Sequence, residues 1–245
     1  QALERGLLPR SYLADSDEAA SEFLKAYILT YVEKEIQLEQ WVRNIRPFRR
    51  FLEIAAQMSG KIINRSSIAR DIGVDDMSIA AYYEILEDTL LGIEIKAFHK
   101  SVRKSQRSAP KFYLIDTGLK RALDRTMVTQ LVPGTSAFGE AFEHFVLMEL
   151  VKLSEYRRLD WRFSYLRTKN DVEIDFVIDR PGKTRLMIEV KSKNKITESD
   201  AKSLETLGED TDPKAERLLL SLDEHRQRIG KTKAIHWREA LDELN

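Results

Sequence analysis

The sequence predicts an α+β protein: a helical and winged-helix domain over residues 1–133, followed by a domain of order α-β-β-β-α-β over 134–245. Three observations carry this expectation. Apolar residues recur at helical spacing through the first sixty positions, a helix–glycine–helix stretch leads into alternating apolar residues, and beyond Pro133-Gly134 short alternating runs take over.

From Asp17 to about Ile45 the stripe Phe23, Leu24, Tyr27, Ile28, Tyr31, Val32, Ile36 and Leu38 is interleaved with charge, as in one long or two short amphipathic helices. Pro47 is expected to end it. Phe51, Leu52, Ile54, Ala55, Ala56 and Met58 make a further helix that stops at Gly60. Ser66 to Ile72, Gly73 and Met77 to Leu86 read as serine cap, short helix, glycine turn and second helix, the parts of a helix-turn-helix. Ile93, Ile95 and Ala97 form a strand after Gly92, and Lys111 to Ile115 its partner, with a polar wing loop between them. Tyr82, Tyr83, Phe112 and Tyr113 belong to the core of this winged helix.

The Thr129–Ser136 loop is the expected boundary. After it come a helix (about Ala137 to Tyr156), strands at Trp161–Leu166, Val172–Asp179 and Arg185–Lys191, a helix (about Glu198 to Leu207) and a strand at Arg217–Leu222. A last strand near Ala234–His236 and a helix from Arg238 complete the chain.

Composition narrows the function. In 245 residues, Lys plus Arg total 40 and Asp plus Glu total 40, so a uniformly basic nucleic-acid coat and an acidic solvating tail are both excluded. There is no cysteine, hence no disulfide or thiolate site, and His99, His144, His225 and His236 make no HExxH pair. No apolar run is long enough for a membrane span, so no membrane contact is expected, and the absence of cysteine fits a cytoplasmic address. The start at Gln1 lacks a signal-like stretch and suggests a fragment of a longer protein. Gly182-Lys183-Thr184 and Gly230-Lys231-Thr232 resemble the tail of a P-loop, but Val177 and His225 stand where its first glycine belongs, so no nucleotide-binding site is expected.

Charge is unevenly spread. Asp71 to Glu94 holds seven acidic residues and no Lys or Arg, whereas Lys96 to Arg125 holds nine basic and two acidic. A DNA contact through phosphate therefore falls on the wing residues Lys100, Arg103, Lys104 and Arg107 rather than on Asp75 and Asp76. The alternative is that the acidic helix packs on a basic surface of a neighbouring domain.

The candidate chemistry sits on two strands, Glu173-Ile174-Asp175-Phe176-Val177 and Ile188-Glu189-Val190-Lys191. Alternation puts Glu189 and Lys191 on one face. A hairpin centred on Gly182 pairs residues whose numbers sum to 364, placing Asp175 opposite Glu189. Two such carboxylates can hold Mg²⁺ (or Mn²⁺), and Lys191 can orient a water or offset charge on a phosphate. Glu149 projects into the apolar stripe of the helix from Ala137 and is expected to be a buried carboxylate bonded to backbone or to an arginine such as Arg167. His144 is expected to be a solvated helix residue.

This constellation resembles the PD-(D/E)xK nuclease-like superfamily, the restriction-endonuclease fold. The resemblance makes Asp175 the motif aspartate, Glu189-Val190-Lys191 the (D/E)xK, and Gly139-Glu140-Ala141-Phe142-Glu143 the motif helix, with Glu143 the third acidic group. Val172-Glu173-Ile174-Asp175 departs from it by lacking proline before the aspartate. Nearly the whole chain, through Gly6-Leu7-Leu8-Pro9, Pro110 to Leu119, Tyr165 to Lys169 and Ile188 to Ser192, is similar to the C-terminal part of a prokaryotic family of AAA+ ATPases ending in a domain of unknown function. The resemblance implies an ATPase module N-terminal to this chain, DNA as a partner and metal-dependent phosphodiester hydrolysis. A homo-oligomer is a further expectation. The alternative is a non-catalytic module that anchors the ATPase to DNA or protein.

Overall fold

The computed structural model describes residues 1–32, 45–99 and 108–244. They fall into two compact units, Gln1–Glu94 with Ala109–Leu131 and Ile95–Ser108 with Val132–Asn245. The second unit thus takes in a segment that the sequence reading gives to the first. The reason is non-local pairing: strand β1 (Gly92–Ala97) ends parallel to β3 (Arg162–Arg167), with Lys96 beside Ser164 and Ala97 beside Tyr165. No local pattern in residues 92–97 announces that partner.

In the first unit, helix Asp17–Tyr27 begins at Ser16, whose side chain accepts the Ala19 N–H at 3.1 Å, and runs into a π-turn at Ile28–Val32. The stretch 33–44 expected to continue it lies outside the described residues. Pro47 does not end a helix; it lies within helix Ile45–Gln57. That helix buries Phe48, Phe51, Leu52, Ala55 and Ala56.

The two crossed helices are present. Arg65–Ile72 is capped by Asn64, which accepts the Ser67 N–H at 3.0 Å, rather than by Ser66. Gly73 takes φ 84° in the turn, and Asp75 caps Asp76–Asp88 by accepting the Ser78 N–H at 2.7 Å. Ser66 donates instead to Asp76 at 2.7 Å. The aromatic residues fill the core: Tyr83 meets Phe112 at a tilt of 59° (4.9 Å between rings) and Phe51 edge-on at 4.8 Å. Strand β2 (Lys111–Leu114) is buried throughout. Lys100, Arg103, Lys104 and Arg107 lie outside the described residues.

Two motifs more than a hundred residues apart meet here. Buried Asp116 caps helix Thr117–Leu123, which the sequence pattern does not announce, accepting the Leu119 N–H at 2.9 Å with one oxygen and the Leu7 N–H at 2.5 Å with the other. Gly6 (φ 74°) and Gly118 make the approach possible. A Cβ on Gly6 would lie 2.0 Å from Asp116 Oδ1, and one on Gly118 would lie 2.2 Å from the Arg5 carbonyl oxygen.

The second unit is a sheet with helices on both faces. Strand order runs from the end of β1 through β3, β4 (Glu173–Asp179), β5 (Leu186–Lys191), β6 (Glu216–Ser221) and β8 (Thr232–His236) to β7 (Gln227–Ile229). β3–β4, β4–β5 and β7–β8 pair antiparallel; β5–β6 and β6–β8 pair parallel. β7 is an addition to the expected order, too short for a sequence pattern. One face packs Met187, Leu219, Ala234, Ala201 and Leu204 under a 3₁₀ turn (Glu198–Ala201) and helix Lys202–Thr211. The long helix Ser136–Arg157, capped by Thr135, and helix Trp237–Leu244 lie together, Phe145 meeting Trp237 edge-on at 5.1 Å. Gly182 (φ 73°) and Gly230 (φ 58°) are turn residues of the β4–β5 and β7–β8 hairpins.

Asp116→Ala is expected to destabilise the protein by about 1–3 kcal/mol, since it removes a cap and strands a buried N–H. Gly118→Ala should cost at least about 1–3 kcal/mol by overpacking against backbone. Denaturant melts of both variants against an exposed control, such as Lys202→Ala, check this.

Candidate functional site

The site stands at the C-terminal end of β5. This strand is bounded on both sides by other strands, so its interior is apolar: Leu186, Met187 and Ile188 have no exposed surface. Charge enters only at Glu189 and Lys191. Both share the face of Met187, and across the parallel ladder Lys191 lies beside Ser221, which lies beside His236.

The hairpin register is the one the turn dictates. Phe176 faces Ile188, Val177 faces Met187 and Ile178 faces Leu186, each pair summing to 364. Toward the site the ladder gives way. Ser164 opposes Val177 but Leu166 opposes Ile174, so Asp175 and Phe176 together stand against Tyr165 in a β-bulge of β4. Asp175 then turns its carboxylate onto the neighbouring strand, where Oδ2 accepts the Val190 N–H at 2.7 Å.

Glu189 is only 5% exposed. Its Oε1 accepts from Lys191 Nζ at 2.5 Å, while Oε2 is buried with no hydrogen-bond partner. Burial and the neighbouring Asp175 charge push its carboxyl up to about 8, against the opposing pull of Lys191 and with a smaller push from Glu143. Burial tends to lower the Lys191 ammonium, but Glu189, Asp175 and Asp200 outweigh it and hold the group above its ordinary value. Lys191 therefore stays charged.

The structure brings Asp175, Glu189 and Lys191 together. Glu143 stands further off, within electrostatic reach of Glu189, on the long helix; one turn earlier a Cβ on Gly139 would lie 3.5 Å from Ser192 Oγ, which sets that helix beside the end of β5. Asp200 was not singled out from the sequence. It is buried, accepts from Lys193 and from the Thr197 N–H at 2.9 Å, and adds to the field on Lys191. The Thr-x-x-Asp spacing of a capping box at 197–200 was its signal.

Two expectations need correcting. Glu149 pairs with Lys152 at 3.0 Å, not with Arg167, which holds Asp171 at 3.0 Å; the helix turns Glu149 to its partly exposed side. His144 is buried at 3% exposure rather than solvated, because the long helix is covered on more of its circumference than a one-sided stripe suggests.

The donor set at β5 is all oxygen, which suits a hard divalent cation, and Glu189 Oε2 is an oxygen without a proton donor. Among the described residues no three His, Cys, Asp or Glu side chains form a cluster able to hold a metal. The match to a cation therefore rests on the pair Asp175 and Glu189, with water completing the shell as is usual for Mg²⁺. Among the described residues no helix is long and apolar enough to cross a membrane.

Fold and site define a two-unit α+β protein with a buried carboxylate–lysine cluster at the end of a central strand. Residues 1–130, more than half of the chain, match the family described as Domain of unknown function (DUF8612), and the chain belongs to that family. Residues 138–240 match Domain of unknown function (DUF4143). The chain is 28% identical over 182 residues to an uncharacterized protein of Mycobacterium tuberculosis and, to the same extent, to one of Mycobacterium bovis. The matched stretch is 73% of this chain and 40% of each relative, so the chain spans well under half the length of the curated relatives it matches. No solved structure matches the chain.

The raised Glu189 carboxyl makes stability depend on pH. Its contribution is fully present below the ordinary value of 4.5 and is lost as pH rises through about 8. Glu189→Gln, neutral throughout, should gain on the wild type by up to about 4 kcal/mol between pH 5 and pH 9. Thermal and urea melts at both pH values measure the gain; an unchanged difference would place the Glu189 carboxyl near its ordinary value.

Proposed function

We propose that the second unit carries a PD-(D/E)xK-like site for metal-dependent hydrolysis of DNA phosphodiesters, within a longer protein that includes an AAA+ ATPase module. Asp175 and Glu189 hold Mg²⁺ or Mn²⁺, Glu143 adds a third acidic group and Lys191 assists the attacking water. One observation carries the reading: the buried Glu189 keeps an oxygen without a partner beside Asp175 and Lys191. As a device for folding this is costly, because a buried carboxyl oxygen left without a hydrogen bond destabilises.

A bound divalent cation would supply an acidified water and offset charge on the phosphodiester. The chain's own groups do the rest. Val190 N–H orients the Asp175 carboxylate, and the bulge at Asp175–Phe176 aims it at β5 rather than along its own strand. Lys191 holds its proton and stabilises negative charge growing on a phosphate oxygen, its ammonium fixed by Glu189 Oε1. The length of the mycobacterial relatives leaves room for an ATPase module outside the matched stretch.

Cleavage of single-stranded, duplex and branched DNA with Mg²⁺ or Mn²⁺ tests the proposal. The wild type should cleave and its melting temperature should rise with metal. Asp175→Asn should lose both while remaining folded, and Lys191→Ala should lose cleavage but keep the metal-dependent rise. No cleavage and no metal-dependent shift in the wild type would leave a non-catalytic interaction module. DNA binding is expected to fall steeply with salt and to vanish when Lys100, Arg103, Lys104 and Arg107 are reversed in charge. Neutralising Asp75 and Asp76 should not weaken it.

A further inference from the structure

The second unit carries a charged trough that the carboxylate–lysine cluster does not use. Its sheet ends at β7, a strand of three residues paired antiparallel with β8. That register sets Arg228 directly opposite Lys233, and Lys233 lies beside Leu218 of β6, so the three side chains share one face of the sheet. Like charges set opposite each other weaken a strand pair. A pair this short has little else to offset the cost.

The trough encloses about 500 Å³, and its charged walls are Arg217, Arg226, Arg228, Lys231, Lys233 and a single acid, Glu216. Four of the cations are held by carboxylates that do not line it. Glu205 and Glu209 take Arg217, Glu209 also takes Lys231 at 2.7 Å, Glu239 and Glu243 take Arg226, and Glu243 takes Lys233. Glu216 is turned to Arg180 at 2.9 Å. Arg228 is the surplus charge: it is exposed, it donates to the Gly230 carbonyl at 3.3 Å, and among the described residues it pairs with no carboxylate. Charge on an edge strand also keeps sheets from joining edge to edge, but an acid at 228 would serve that end and attract Lys233 as well.

We propose that this trough is a phosphate-binding surface along which a nucleic-acid backbone runs, an inference that rests on the reading of the second unit as acting on DNA. Phosphate oxygens placed between Arg228 and Lys233 turn a repulsive pair into a shared site, and the guanidinium fork suits them. Arg226 stands two residues before Arg228, about 6.6 Å along the strand, a step that successive phosphates of an extended strand can follow. Such contacts fix the position of the nucleic acid and read no sequence.

The test follows binding of labelled single-stranded and duplex oligonucleotides to the full chain in EDTA over a range of salt, so that neither metal nor cleavage enters. Arg228→Glu should weaken binding by about tenfold at low salt and lower the slope of log affinity against log salt by roughly 1. The same variant should melt about 1–3 °C higher than the wild type, because it replaces the repulsion with Lys233 by attraction. Lys25→Glu, at an exposed cation of the first unit, should leave both readings near the wild type. Oligonucleotide binding unchanged in Arg228→Glu overturns the proposal, as does an equal loss in Lys25→Glu. A wild type that binds polyglutamate but no oligonucleotide also overturns it and assigns the trough to an acidic protein. A wild type that binds in EDTA through Arg228 yet never cleaves with Mg²⁺ or Mn²⁺ sinks the nuclease reading and leaves this surface standing.

Discussion

The burial of Glu189 is the constraint around which the second unit is arranged. A carboxylate on a strand flanked on both sides cannot be solvated along most of that strand, so it appears only where β5 runs out. Even there it needs Lys191 against one oxygen. Lys191 in turn draws on Asp175 and Asp200 to keep its proton in a partly buried position. Asp175 reaches the site because β4 bulges, and the bulge persists because the carboxylate takes over a β5 N–H that regular pairing would have used. Asp175 and Lys191 act on the Glu189 carboxyl, and Glu189, Asp175 and Asp200 act on the Lys191 ammonium.

The first unit depends on a comparable long-range contact. Asp116 ties the chain's opening turn to helix Thr117–Leu123 through two backbone N–H groups. Two glycines allow the backbones to come that close. Behind this clasp the aromatic cluster of Phe48, Phe51, Tyr82, Tyr83 and Phe112 fills the helix-turn-helix core. Its acidic residues are put to local use: Asp75 caps a helix, Asp76 takes a serine hydroxyl and Glu87 accepts the Glu94 N–H at 2.8 Å. Such uses account for much of the negative charge on that element without any partner.

The sequence by itself determined most local elements of this protein and the core of its site. Periodicity gave the helix-turn-helix, the long helix and the strands, because helix caps, glycine turns and alternating burial act over a few residues. The β4–β5 register followed from the Gly182 turn, and with it the approach of Asp175 to Glu189, since a hairpin leaves few alternatives. Tertiary structure decided what local pattern cannot encode. It placed the end of β1 beside β3, set Pro47 inside a helix rather than at its end, and buried His144. It also took Glu149 away from Arg167, bulged β4 at Asp175 and added Asp200 to the charge balance of Lys191. Each of these depends on a partner distant in sequence, and burial and pairing energies between distant segments are set only when the chain has closed on itself.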